Sequence, residues 1–454
     1  MLFKNHKQLL INAENPVLRD DALKILEYTI DSVNPYEAVL RIISLNENRL
    51  TIDKDEYNLD SYQRVIVIGG GKACGKMAEA LESILGDRIS QGAIIVLEGT
   101  QPEYNLEKIS IHGAYHPVPD EKNVESTRQM LTHIENVSER DLVIVLISGG
   151  GSALMTLPAE GIPLKDLQYV TISLLHSGAT INEMNAVRKH LSKLKGGLLA
   201  KKMYPATVIS LILSDVIGDP LDVIASGPTV ADSTIYQNAF DTLSKYDLLD
   251  NIPITVKHRF EQGIAGMISE TLKPCQPELE NVNNYIIGNV KQACNAAKHM
   301  ADSLGYNSQV INSEIQGIAS KQGIEISRIA IEQSQKNAMP RALIFGGETT
   351  VQVTGDGMGG RNQELALSTV ELLSGSNVVL IAMASDGVDG VSGSAGAIVD
   401  GRTHSRARQL GMNPHDYLER NDSYSFFDIL GDTLNTGPTG TNVNDLILIL
   451  IPGE

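Results

Sequence analysis

The sequence predicts an α/β fold of two domains built on mainly parallel sheets. Three observations carry this. Short runs of Val, Ile and Leu recur without polar alternation, as in strands covered on both faces. Each run opens into a loop of Gly, Ser or Asp, and helical periodicity follows most of those loops. At 454 residues the chain is also long for a single core.

Residues 1–50 read as helical, with Asp20 as a cap before Ala22–Val33 and Pro35 near the start of the next helix. Arg64–Ile68 is the first buried strand. It runs into Gly69-Gly70-Gly71-Lys72-Ala73-Cys74-Gly75-Lys76 and then a helix through Leu85, and Gly92–Leu97 is the next strand. The Gly70 to Lys76 spacing approaches a P-loop, but Met77 stands where Ser or Thr must meet magnesium, so that motif is rejected. Gly70, Gly71 and Lys72 remain a ligand-binding candidate, because open α/β sheets bind at the carboxyl ends of their strands.

His116-Pro117-Val118-Pro119-Asp120 is a stiff extended loop in which His116 is a candidate substrate contact. Leu142–Ile147 opens into Ser148-Gly149-Gly150-Gly151-Ser152, whose backbone donors and two hydroxyls suit a phosphate or carboxylate. Two such loops after buried strands suggest a shared cleft. Ile181–Ala200 reads as one helix whose Asn185 and Arg188, at i and i+3, share a side. Glu183, Arg188 and Lys189 also read as a charged outer face. Val208–Leu213 ends near Asp215 and Asp219, which are turn formers or magnesium ligands. A polar region rich in Pro places the boundary near Cys275–Glu280, hence domains of 1–277 and 278–454.

In the second domain, Asn284–Ile287 and Ser308–Ile311 read as strands. Ala342–Phe345 follows, ended by Gly346-Gly347, and Thr349–Thr354 is a further strand. Gly355, Gly357, Gly359 and Gly360 precede a helix over Asn362–Leu373. Arg361 stands at that helix N-terminus, where a cation opposes the helix dipole and so suggests an anionic ligand. Gly355, Gly357 and Gly360 also spell a dinucleotide fingerprint, a weak signal on its own. Val378–Ala384 delivers Ser385-Asp386-Gly387-Val388-Asp389-Gly390, and Leu446–Ile451 is the last strand.

A net charge of −18 argues against nucleic acid or an anionic membrane as partner. No run approaches the roughly 18 apolar residues a membrane span needs, and the opening MLFKNHKQLL lacks a signal peptide's apolar core, so a cytoplasmic address is expected. Three cysteines without CxxC spacing indicate neither a disulfide framework nor a zinc site. A homodimer is expected only as the commonest assembly.

Taken together, GGGKACGKMAEAL, HPVPDE, ISGGGSAL, SGATINEMNAVRKHLSKLKGG, LSDVIGDPLDVIASGPT, GGETTVQVTGDGMGGRNQELAL, SDGVDG and TGPTGTNVND resemble the glycerate 2-kinases with a MOFRL C-terminal domain, nearest to the archaeal type. The resemblance implies an N-terminal Rossmann-like domain, a C-terminal MOFRL domain and an active-site cleft between them. It further implies ATP-dependent phosphorylation of D-glycerate at the 2-hydroxyl, giving 2-phosphoglycerate and ADP, in sugar breakdown of the non-phosphorylative Entner–Doudoroff type. Lys72 and Arg361 would be its principal catalytic cations. Members have carried the name hydroxypyruvate reductase, so an NAD(P)H-dependent reductase is the second reading.

Phosphoryl transfer demands positioning and charge neutralisation more than covalent chemistry. Gly70, Gly71, Ser148, Gly149, Gly150, Gly151, Ser152, Asn185, Arg188, Gly357 and Gly360 are accordingly the candidate ligand-binding residues. Mg2+ or another divalent cation, bridging ATP phosphates, would want oxygen ligands. Asp386 is ranked first for it, ahead of Asp389, Asp215 and Glu348. Because Lys72 and Arg361 fall in loops outside the apolar strands, replacing either is expected to cost little stability.

Overall fold

β1 (Ile43–Asn46), β2 (Arg49–Ile52) and β3 (Asp55–Asn58) form a small antiparallel sheet, and its first strand falls within residues 1–50, which were expected to be helical. Glu47, with φ +56°, turns the chain between its first two strands. The computed structural model describes residues 1–335 and 339–453 and divides into two units, Pro35–Ile287 and the remainder.

The unit of residues 35–287 is organised by a six-stranded sheet. Its strands are β4 (Arg64–Gly70), β5 (Gln91–Leu97), β6 (Ile109–Ala114), β7 (Asp141–Ile147), β8 (Thr207–Leu213) and β9 (Val282–Gly288), in the order β6-β5-β4-β7-β8-β9. The pairs from β6 through β8 are all parallel. The continuous apolar runs of β4 and β7 are buried along nearly their whole length, because helices cover both faces. Arg64, at the start of β4, is tied to Asp141 at the start of β7 by paired bonds of 2.8 Å. That bridge brings the two glycine loops to the same, opposite end of adjacent strands.

The other unit joins residues 1–34 to residues 288–453. Its sheet contains β10 (Asn307–Ile318), β11 (Arg341–Thr350), β12 (Val379–Ala384), β13 (Gly396–Asp400), β14 (Thr433–Leu434) and β15 (Asp445–Ile451), ordered β10-β11-β15-β12-β13-β14. Only the β10–β11 pair is parallel; the four other pairs are antiparallel. Mainly parallel pairing therefore holds for the first sheet and not for the second. Apolar runs report burial on both faces, and here helices cover an antiparallel sheet equally well.

The division differs from the 1–277 and 278–454 expectation at both places. β9, beyond residue 277, completes the first sheet. The N-terminal helix Pro16–Ser32 belongs with the second unit because Arg19, fully buried, pairs with Asp400 at 2.7 Å and Asp432 at 2.8 Å. A buried guanidinium demands such partners. β11 also runs unbroken through Gly346-Gly347, where a turn was expected. A Cβ at Gly347 would lie 2.2 Å from the Ile315 carbonyl oxygen of β10, and one at Gly346 2.5 Å from Val290, so the glycines answer crowding rather than reversal. No helix among the described residues is long and apolar enough to cross a membrane.

Candidate active site

The two glycine loops of residues 35–287 interlock. The Lys72 N–H donates to Gly149 O (2.9 Å), and the Ala73 N–H to Ser148 Oγ (3.0 Å). A Cβ on Gly71 would lie 2.2 Å from Ser148 Oγ, and one on Gly149 2.3 Å from Asp215 Oδ2, so neither position admits a side chain. Gly150 takes φ +81°, which glycine adopts without strain. Above it pass the Lys72 chain and the His116 ring; a Cβ there would sit 3.3 Å from Lys72 Cγ and 3.2 Å from His116 Cδ2. The N–H groups of Gly149 and Gly150 find no acceptor among the described residues. Lys72 is exposed and forms no ion pair with a described residue. Partial burial and the Lys72 charge push the His116 imidazole down to about 4, so it is neutral at physiological pH. Two backbone donors without an acceptor among the described residues, beside the Lys72 chain, are able to receive an anion.

A hydroxyl chain ties this loop to the helix Ile181–His190. Ser152 Oγ meets Ser226 Oγ at 2.9 Å, and Ser226 Oγ donates to Asn185 Oδ1 at 3.0 Å. Ala225, Ser226 and Gly227 all have φ between +50° and +61°, a strained turn that holds Ser226 in place. Asn185 is buried, and its Nδ2 has no partner among the described residues. Arg188, one turn along, is half-buried; burial lowers its pKa and no carboxylate offsets this.

The expected helix over 181–200 breaks. It ends at His190 and resumes at Leu198–Met203, because Gly196 (φ +60°) and Gly197 (φ +79°) are left-handed. The break turns Lys195 inward, where Nζ donates to Ser152 O at 2.6 Å and to Met155 O at 3.4 Å. Burial, with Arg188 nearby, brings this lysine down to about 7. Lys189 is not on an outer face either: it is buried against Asp232 at 3.2 Å. Glu183 closes a capping box with Thr180.

In the other unit, Arg361 begins the helix Arg361–Thr369 as expected, but its fork is occupied. Nε donates to Asp445 Oδ2 (2.6 Å), Nη2 to Asp445 Oδ1 (3.0 Å) and Nη1 to Glu348 Oε1 (2.6 Å). Asp389 is a helix cap: Oδ1 accepts from Asn362 N and Oδ2 from Gln363 N, at 3.0 and 2.8 Å. Among the described residues the Asp386 carboxylate accepts only from Val388 N (3.0 Å), an Asx turn that uses one of its two oxygens. The glycines of 355–360 face their own chain. A Cβ on Gly357 would meet Arg420 O at 2.5 Å, and one on Gly360 would meet Asp389 Cγ at 2.3 Å. The Gly357 N–H already donates to Arg420 O. The fingerprint therefore offers no open cradle for a pyrophosphate, and the reductase reading loses its motif.

The chain is similar to known proteins along nearly its whole length. Residues 341–445 match the MOFRL family model, and residues 21–261 match a domain of unknown function, DUF4147. The D-glycerate 2-kinase of Thermotoga maritima is 42% identical over 438 residues, covering 96% of this chain and 98% of that protein. The chain belongs to the MOFRL glycerate kinase family. Another member, the glycerate 2-kinase of Pyrococcus horikoshii, is 39% identical and spans 96% of this chain and 98% of its own length. The crystal structure of the glycerate kinase from Thermotoga maritima superposes with a TM-score of 0.86 at 41% identity, covering 96% of this chain and 100% of that one.

For this glycerate kinase family member, two of the expected metal ligands are engaged by neighbours in their own unit. Asp389 caps a helix, Glu348 holds Arg361, and Asp215 lies against Gly149 in the other unit. No group of three His, Cys, Asp or Glu able to hold a metal occurs among the described residues. Asp445 and Lys195 are the residues that sequence reasoning passed over. The first stands in TGPTGTNVND without any local sign of its partner, whereas the Gly196-Gly197 pair was a legible signal for the second.

Proposed function

We propose that the chain phosphorylates D-glycerate at its 2-hydroxyl with ATP, releasing 2-phosphoglycerate and ADP. Membership of a family whose relatives are named D-glycerate 2-kinase, at 42% identity over nearly the whole chain, is the observation that carries this reading. The local chemistry supports it. The Gly149 and Gly150 N–H groups, with Lys72 above them, would hold transferring phosphate oxygens and stabilise charge as it develops. His116, uncharged and against Lys72, would shape that cradle without competing for anions. Arg361 is the second catalytic cation in this reading. Its two carboxylate partners keep the guanidinium fully charged and fixed in direction.

A divalent cation in such a reaction would neutralise charge on the nucleotide phosphates. The side chains fit a cation that keeps most of its water and takes one carboxylate. Asp386, with one oxygen uncommitted among the described residues, is the residue that fits, and an all-protein cage does not.

The test is a coupled assay with D-glycerate, Mg-ATP and enolase but no mutase. Phosphoenolpyruvate should accumulate. ADP release without it would place the phosphate elsewhere, and no ADP at all would reject the kinase. Hydroxypyruvate with NADH or NADPH should leave the cofactor unoxidised.

A further inference from the structure

Arg188 and Lys195 present a charge problem. The protein carries 37 Lys and Arg against 55 Asp and Glu, so most of its buried cations could find a carboxylate. The fully buried Arg19 has two, and the buried Lys189 has Asp222 and Asp232. Lys195 instead feels the positive charge of Arg188, and among the described residues its Nζ is met by carbonyl oxygens only, while burial lowers Arg188 as well. Beside Arg188, on the same helix, the buried Asn185 Nδ2 has no acceptor. A buried donor left unpaired costs roughly 1–3 kcal/mol. Two cations and an orphaned amide together form a set of donors that lacks an anion.

We propose that Arg188 and Asn185 bind the carboxylate of the hydroxy-acid substrate. This rests on the kinase reading above and names how the acceptor is recognised. Asn185 Oδ1 is held by Ser226, which fixes the amide plane and leaves Nδ2 as the buried donor without an acceptor among the described residues. A guanidinium fork and an amide N–H offer donors only, matching a planar group that accepts and never donates. Phosphate oxygens have their own donors at Gly149, Gly150 and Lys72. The chain Asn185–Ser226–Ser152 couples this subsite to that loop, so that a bound carboxylate would set the acceptor's distance from it. Lys195 touches no ligand in this account. It is a positioning residue that ties the loop at Ser152 O and Met155 O.

The experiment titrates D-glycerate into the nucleotide-free full chain by calorimetry and measures KM for D-glycerate and for ATP separately. The variants are Arg188→Gln and Asn185→Asp, the second keeping its shape while turning donor into anion. Each should weaken glycerate binding and raise its KM roughly 100-fold while the ATP KM moves less than about threefold. The neutral amide of glycerate, poor with the wild type, should be turned over no worse by Arg188→Gln. A rise confined to the ATP KM would assign these donors to the nucleotide and overturn the proposal, as would unchanged constants for both. Thermal melting excludes an unfolded variant, and Asn185→Asp decides if Arg188→Gln fails to fold. A wild type that binds glycerate without transferring phosphate would reject the kinase and leave the subsite standing.

Discussion

Arg361 meets Asp445 side-on: Nε lies 2.6 Å from Oδ2 and Nη2 lies 3.0 Å from Oδ1. Asp445 opens β15 and is 3% exposed, so the guanidinium, itself 31% exposed, is its counter-charge. A cation expected to be dispensable for folding therefore neutralises a buried carboxylate. Removing one partner of such a pair is costly because the other stays buried and charged.

Arg361→Ala should therefore lower both kcat and stability, the latter by about 3 kcal/mol. Adding Asp445→Asn should restore most of the stability and none of the rate. Urea denaturation with steady-state kinetics on the three variants checks this. Equal stability of wild type and Arg361→Ala would show that solvent, not Arg361, satisfies Asp445.

Lys72 stands in contrast, exposed and without an ion pair among the described residues. Lys72→Ala should reduce kcat about 10²–10³-fold and leave the melting temperature almost unchanged. Turnover within about threefold of wild type would show Lys72 to be a solvated loop residue.

The two aspartates of Ser385–Gly390 should separate by effect. Asp389→Ala removes a helix cap and should cost about 1–2 kcal/mol without altering the magnesium dependence of the rate. Asp386→Asn keeps the Asx turn and should raise the magnesium concentration needed for half-maximal rate. The opposite pattern would make Asp389 the metal ligand despite its hydrogen bonds.

Lys195 predicts a pH dependence of stability. Its pKa is about 7 folded and near 10.5 unfolded. Between these values the unfolded chain binds the extra proton, so stability rises as pH increases from about 7 towards 10.5 and is lost as pH falls through that window. Below it both states are protonated and the slope vanishes. Lys195→Met should abolish this contribution, so wild type should gain on the variant as pH is raised from 7 to 9.5. Parallel melting curves across that range would mean that the ammonium is satisfied where it lies.

Features that depend on neighbours in the chain were legible before any folding was considered. Uninterrupted Val, Ile and Leu runs marked β4, β5, β7, β8, β12 and β15, since burial on both faces needs no alternation. Glycine loops at the ends of β4 and β7 marked the cradle and its lysine, because close approach of two backbones excludes side chains locally. Which charges are paired depends instead on packing between distant segments. Asp445 is 84 residues from Arg361, and Asp400 and Asp432 are 381 and 413 from Arg19. These pairs are set by strand order, which apolar patterning leaves open between parallel and antiparallel solutions. Lys195 lies only seven residues from Arg188, yet two left-handed glycines bury one and leave the other half-open. A cation's environment is a property of what packs around it, and that is assembled from segments remote in the chain.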